Sequence, residues 1–172
     1  MCDKLIKEAI NFVDKNGTLP EIRDFKVSKD EANAFKKSEA YAELKAIRNK
    51  FTKERKEGFK TLANFYRWYK AQKQECAYCG ISQADLKALL KLNDKDKQKP
   101  LYSKKRGFTA TLQIERTNPN KAYDERNCKL ICTLCNNAKS DMINEANFKK
   151  YFAPATRDFL NDLKSGKIAN QF

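Results

Sequence analysis

Four of the six cysteines in this chain fall in two matched knuckles, Cys76-Ala77-Tyr78-Cys79 and Cys132-Thr133-Leu134-Cys135. A C-x-x-C spacing sets two thiolates on one tight turn, and two such turns supply the four sulfurs of a closed tetrahedral zinc site. Whatever fold the chain adopts must therefore bring these two turns to one point. Gly80 and Asn136 follow the second cysteine of each pair, where an unusual backbone angle is often needed. Four thiolates leave no open position, so this zinc is expected to hold the fold rather than do chemistry. A redox pair or buried free thiols would explain one knuckle but not two. Cys128 reads as a buried strand thiol, and Cys2 lies near a fraying terminus. The chain has no histidine. That excludes every imidazole ligand and every Ser-His or Cys-His mechanism.

The charge points to a polyanion. There are 36 Lys+Arg against 22 Asp+Glu, a net charge of +14. Such an excess is a statement about partners rather than about fold. It is shared by residues 1–75 and 76–151 rather than confined to a tail, which suits a nucleic-acid footprint built by the folded body. The plainer reading is a basic surface with no specific ligand. A hydrophobic content of 41% supports a packed core and argues against full disorder. No apolar run approaches the roughly 18 residues that a membrane-spanning helix needs. The start of the chain reads as no signal peptide, and a cytoplasmic location with no membrane partner is expected.

Helical periodicity dominates the first part of the chain. Leu5, Ile6, Ala9, Ile10 and Val13 mark one helix, stopped at Asn16-Gly17. Ser28 is a candidate N-cap with Glu31 three residues on. A broken helix then continues through Phe35, Tyr41, Leu44 and Ile47 to Gly58, and a further one runs from about Phe59 to Gln74. Residues 93–106 read as an exposed loop. Phe108 to Ile114 and Cys128 to Cys132 alternate as two strands. A helix is expected from Asn136 to Met142, and two short helices over Asn147–Phe152 and Ala155–Leu163. These readings divide the chain into a helical arm over 1–74, serving as scaffold or DNA contact, a four-cysteine core over 75–152, and a C-terminal helix and tail over 153–172.

The segment from Leu112 to Asp141 carries the residues of chemical interest: Glu115-Arg116, Tyr123, Asn127, then Cys132-Thr-Leu-Cys135-Asn136-Asn-Ala-Lys139. This order resembles the HNH, or ββα-metal, nuclease family. There a strand ends in an acidic residue and a histidine, a loop follows with a structural asparagine, and the motif closes on a helix opened by C-x-x-C-N-x-x-K. Here Arg116 stands in place of the histidine. The resemblance is strongest to a divergent branch with Asp-Arg or Glu-Arg at this point, which includes the PacI type of restriction endonuclease. The resemblance implies an α+β fold with a zinc-stabilised ββα-metal core, a mainly helical N-terminal arm and C-terminal helices. It implies that Glu115 and Asn136 hold a catalytic Mg²⁺ or Mn²⁺, that Asn127 braces the loop, and that Lys139 faces a phosphate. Lys104, Lys105 and Arg106 are further candidates for contacts to nucleic acid.

Arg116 cannot act as a general base, because a guanidinium has no acceptor and stays protonated. It can clamp a phosphate and stabilise developing charge. The base is then a metal-activated water, Tyr123, another tyrosine such as Tyr78, or a lysine. Tyr123 has the competing role of packing the loop, and Glu115 that of an ordinary strand-end salt bridge with Arg116. The expected activity is metal-dependent hydrolysis of double-stranded DNA by an endodeoxyribonuclease of restriction type, working as a homodimer. The alternatives are a zinc-stabilised nucleic-acid-binding module with a degenerate site, and a nuclease directed at RNA.

Overall fold

A computed structural model describes residues 2–95 and 109–168. The chain is α+β, mostly helical with one two-stranded antiparallel sheet. It separates into two compact units, Met1–Ala71 with Ala122–Arg126, and Gln72–Lys121 with Asn127–Phe172.

The first unit is helical. Helix α1 (Cys2–Asn16) buries Leu5, Ala9, Ile10 and Val13, one stripe at helical spacing. It ends at Gly17, whose φ of +76° suits a residue without Cβ and whose amide donates to the Val13 carbonyl at 2.7 Å. Helix α2 (Lys29–Lys37) opens on a full capping box between Ser28 and Glu31. Ser38 closes α2 and caps α3 (Glu39–Lys50) by accepting from the Tyr41 amide at 3.3 Å. The break expected in this stretch therefore has a defined cause, since the Ser38 hydroxyl ends one ladder and starts the next. Helices α4 (Lys53–Phe59) and α5 (Leu62–Ala71) complete the unit. The start of α5 is capped from α1: the Asp14 carboxylate accepts from the Leu62 and Ala63 amides at 2.5 and 3.1 Å. A carboxylate at a helix N-terminus also meets the positive end of the helix dipole. Phe51, Phe59, Trp68 and Tyr69 pack around Phe65 at ring separations of 5.1–6.3 Å.

The second unit is built on the two knuckles. The first knuckle docks on the sheet through the Ala77 amide, which donates to the Leu130 carbonyl at 2.9 Å. Helix α6 (Gln83–Lys95) follows. No element is expected there from periodicity alone, yet Ser82 caps it by accepting from the Asp85 amide at 3.0 Å, and Leu86 and Leu89 are buried. Only the end of α6 runs into the loop expected over 93–106; the rest of that loop, with Lys104, Lys105 and Arg106, lies outside the described residues. Strands β1 (Gln113–Arg116) and β2 (Cys128–Ile131) pair with Glu115 opposite Lys129 and Arg116 opposite Cys128. The first strand begins later than expected. Ahead of it the Thr109 hydroxyl binds the Thr111 carbonyl and the Thr133 hydroxyl instead of a ladder.

Helix α7 (Thr133–Lys139) starts three residues earlier than expected, because Cys132 is its N-cap and the Cys132 sulfur accepts from the Cys135 amide at 3.4 Å. Helix α8 (Glu145–Asn147), a π-helical turn (Phe148–Phe152) and α9 (Ala153–Lys164) finish the unit. Cys128 is buried on β2 and Cys2 is exposed. Among the described residues no helix is long and apolar enough to cross a membrane.

Gly58 gives this fold a strict packing constraint. A Cβ there would lie 1.5 Å from the Tyr123 carbonyl oxygen, and backbone cannot yield to it cheaply. Gly58→Ala is expected to cost about 1–3 kcal/mol through overpacking. Urea denaturation followed by circular dichroism measures the effect; an unchanged midpoint would contradict this packing.

Candidate functional site

Two arrangements in the second unit carry chemistry: a sulfur cluster, and a polar seam between strand β1 and helix α7.

The sulfurs of Cys76, Cys79, Cys132 and Cys135 all lie within 4.8 Å of one another, and all four residues are buried. The Cys79 and Cys132 sulfurs are 3.7 Å apart. A tetrahedral zinc with bonds near 2.3 Å has sulfur–sulfur edges of about 3.8 Å. The hydrogen bond with Cys132, then those with Cys135 and Cys79, hold the Cys76 thiol far below the ordinary thiol range. Those with Cys132, Cys76 and Cys79 push Cys135 far above it. Four sulfurs this close cannot all be thiolates unless a cation sits among them. The donor set, its burial and its spacing fit a structural zinc.

The seam follows from two periodicities. Along β1, Gln113 and Glu115 share one face of the strand. Along α7, Asn136 and Lys139 share one face of the helix. The two faces meet side chain to side chain. The Asn136 amide nitrogen donates to Gln113 Oε1, and Lys139 Nζ sits 2.6 Å from Glu115 Oε1. Glu115 and Asn136 therefore belong to the same strand–helix seam. Glu115 is only 8% exposed and Lys139 only 1%. Burial pushes the Glu115 carboxyl above its ordinary range, and the hydrogen bond and charge of Lys139 oppose that rise. Glu115 Oε2 and the Tyr78 hydroxyl are both buried without a well-aligned hydrogen bond, but the two groups interact, and the Tyr78 hydroxyl also opposes the rise at Glu115. Burial, then the charge of Glu115, holds the Tyr78 hydroxyl well above the usual phenol range. The amide nitrogen of Asn136 is committed to Gln113, so its carbonyl oxygen faces elsewhere. A carboxylate oxygen and an amide carbonyl are the donors a hard divalent cation takes.

Beside this seam lies a second ionic group. Lys129, opposite Glu115 on the sheet, pairs with Glu145, and Glu145 pairs with Lys149 at 2.7 Å. The hydrogen bonds of those two lysines hold the Glu145 carboxyl below its ordinary range against the opposing effect of burial.

Strand alternation puts Arg116 on the face opposite Glu115. It is half-buried at the end of β1, with its guanidinium 3.5 Å from the Lys121 carbonyl. Asn127 is buried at the neck of the loop. Its side-chain oxygen accepts from the Thr117 hydroxyl and the Asn118 amide, both at 2.9 Å, and its nitrogen donates to the Asn118 carbonyl at 3.0 Å. Tyr123 belongs to the helical unit, where the Arg55 guanidinium lies 5.2 Å from its ring centroid. Lys139 differs most from expectation: its ammonium does not face outward but is buried against Glu115. Sequence reasoning missed Gln113 and the Glu115–Lys139 pair. The available signal was the pairing of an i, i+2 polar set on a strand with an i, i+3 polar set on the helix it must meet.

No protein-family model matches the sequence, and no curated protein matches it significantly. Among solved structures, the chain is similar to the rare-cutting HNH restriction endonuclease PacI, described for its mechanism of DNA perturbation. The TM-score is 0.50 at 22% identity, over 83% of this chain and 89% of that one. The likeness supports an HNH-like fold for this chain.

The sulfur cluster predicts one zinc per chain by elemental analysis. Cys135→Ser is expected to release most of that zinc and to lower the thermal midpoint sharply, because binding energy at such a site is folding energy. Full zinc retention by this variant would remove the four-sulfur assignment.

Proposed function

We propose that this protein is a metal-dependent endonuclease of restriction type that hydrolyses phosphodiester bonds in double-stranded DNA. The observation that carries the reading is the strand–helix seam. An acidic residue near the end of β1 and an asparagine in the middle of α7 share it, inside a hairpin and helix braced by the four-cysteine cluster, whose fold is similar to that of an HNH restriction endonuclease.

In this reading Glu115 and Asn136 hold Mg²⁺ or Mn²⁺. A carboxylate and an amide leave most of the coordination sphere to water and phosphate oxygens. The ion supplies an activated water and neutralises charge on the scissile phosphate. Arg116, at the strand end where the chain turns into the loop, donates to the phosphate and stabilises the charge that develops there. It cannot take the proton of the attacking water. The raised affinity of the Tyr78 hydroxyl for its proton argues against a base role for that tyrosine. The stacking of Tyr123 on Arg55 supports the packing role for Tyr123. Asn127 ties the two ends of the loop and so fixes the position of Arg116, one residue from the Thr117 that it binds.

The net charge of +14 supports a nucleic-acid substrate. Lys104, Lys105 and Arg106 and the helical arm over 1–74 supply phosphate and base contacts in this proposal. Cleavage of both strands requires two active sites, hence a homodimer in the cytoplasm.

Zinc-loaded protein is expected to cut duplex plasmid with Mg²⁺ or Mn²⁺. Glu115→Ala and Asn136→Ala each lower the cleavage rate by about 100-fold or more, the size of effect expected when a ligand or a charge-stabilising group is lost, while zinc content stays at one per chain. If both variants cut at the wild-type rate, the site lies elsewhere. Binding of DNA without cleavage across a panel of divalent metals would favour the binding-module reading instead.

A further inference from the structure

The Glu115–Lys139 pair is unusual for a site expected to accept a cation. The carboxylate that would hold the ion already holds an ammonium, at 2.6 Å and in a buried pair. The geometry points to an exchange: Lys139 is the internal counter-cation of Glu115, and a divalent ion enters this site by displacing it rather than by filling an open position. The inference rests on the reading of Glu115 as a metal ligand and adds how that ligand is guarded.

Three observations carry it. First, Lys139 is 1% exposed and Glu115 8%, so the pair is largely withdrawn from solvent, and an ion that takes the edge of the carboxylate held by Lys139 must displace the lysine. Second, the pair leaves one acceptor poorly matched. Glu115 Oε2 is buried without a well-aligned hydrogen bond, and the carboxylate's other close neighbour is the equally buried Tyr78 hydroxyl. An ammonium satisfies one edge of the carboxylate; a divalent cation accepts oxygen donors from several directions at once. Third, Lys139 is the last residue of α7, and the next residue, Ser140, has φ +48° and ψ −156°. Non-glycine residues rarely adopt that conformation. The strained residue borders the one side chain that must leave, so the helix end is where the ammonium would be withdrawn. After displacement, the lysine is available to a phosphate brought in with the metal.

Charge settles the direction of the effect. A lysine next to a ligand opposes a second cation by Coulomb repulsion and also competes for the same oxygen. Removing its charge while keeping its bulk relieves both. Manganese binding to the zinc-loaded full chain, measured by the loss of the free Mn²⁺ paramagnetic resonance signal, tests this. Lys139→Met is expected to bind Mn²⁺ about tenfold more tightly than wild type, or better. Lys139→Arg is expected to stay within about threefold of wild type, because the positive charge remains. Zinc content and thermal melting report whether each variant is folded, and Lys139→Gln replaces Lys139→Met if the latter is not. Equal or weaker Mn²⁺ binding by the neutral variants, with binding still abolished by Glu115→Gln, overturns the exchange and leaves the ligand assignment standing. Mn²⁺ binding that Glu115→Gln does not change in either background overturns the ligand assignment, and the exchange with it.

Discussion

Everything in the second unit depends on the convergence of four sulfurs. The two knuckles lie far apart in the chain, so closing them on one point fixes a long loop at both ends. Cys76 and Cys79 anchor the turn whose Ala77 amide pairs with β2. Cys132 ends β2 and caps α7 with its own sulfur. One cluster therefore sets the height of the hairpin, the start of the helix and the angle between them. A two-stranded sheet with a seven-residue helix is too small to be stable by burial alone. Zinc binding in such modules contributes folding energy outright, beside the apolar core that Leu86, Leu112, Ile131, Phe148 and Leu160 build in the same unit.

The seam in turn shows why buried polar pairs specify geometry. Breaking a buried ion pair by removing one partner typically costs about 3–5 kcal/mol, because the remaining charge is left without compensation. Glu115 and Lys139 form such a pair, and Gln113 and Asn136 add a hydrogen bond one step along the same faces. Sliding α7 by one residue, or shifting the register of β1, would separate both pairs at once. The register is thus held by the same groups proposed to do the chemistry, so a cation that replaces Lys139 at Glu115 must also take over its part in holding the fold.

Much of this was legible beforehand, for local reasons. The stripe Leu5, Ala9, Ile10, Val13 and the Ser28–Glu31 capping box are short-range signals, and both elements formed where expected. The two knuckles announced their meeting because only one common chemistry uses that spacing. Helix α6 was not foreseen, although Ser82 and Asp85 form its cap and Leu86 and Leu89 its buried face; a leucine-rich stretch next to a charged run blurs where one pattern ends. The inward turn of Lys139 was not legible from the helix alone. A lysine three residues beyond an asparagine on a helix reads as a phosphate contact, and only the facing strand shows that a carboxylate lies within reach.

Arg116 and Glu115 are neighbours in sequence and sit on opposite faces of one strand. That separation follows from the pleat, and it divides their work. The residue on the seam face is buried, paired and able to hold a cation; the residue on the other face stays half-exposed, beside a loop neck tied by Asn127. Under the proposed function, an anionic substrate approaching the strand end would meet half-buried Arg116 before the more deeply buried Glu115. Bringing the phosphate to the carboxylate then means bringing positive charge to it, whether from a metal or from the lysine already in place. A buried glutamate beside a polyanion would otherwise repel it. Under the proposed function, Lys139 would thus do for the resting protein what a bound metal would do in a complex with DNA: keep Glu115 from facing the phosphate backbone uncompensated.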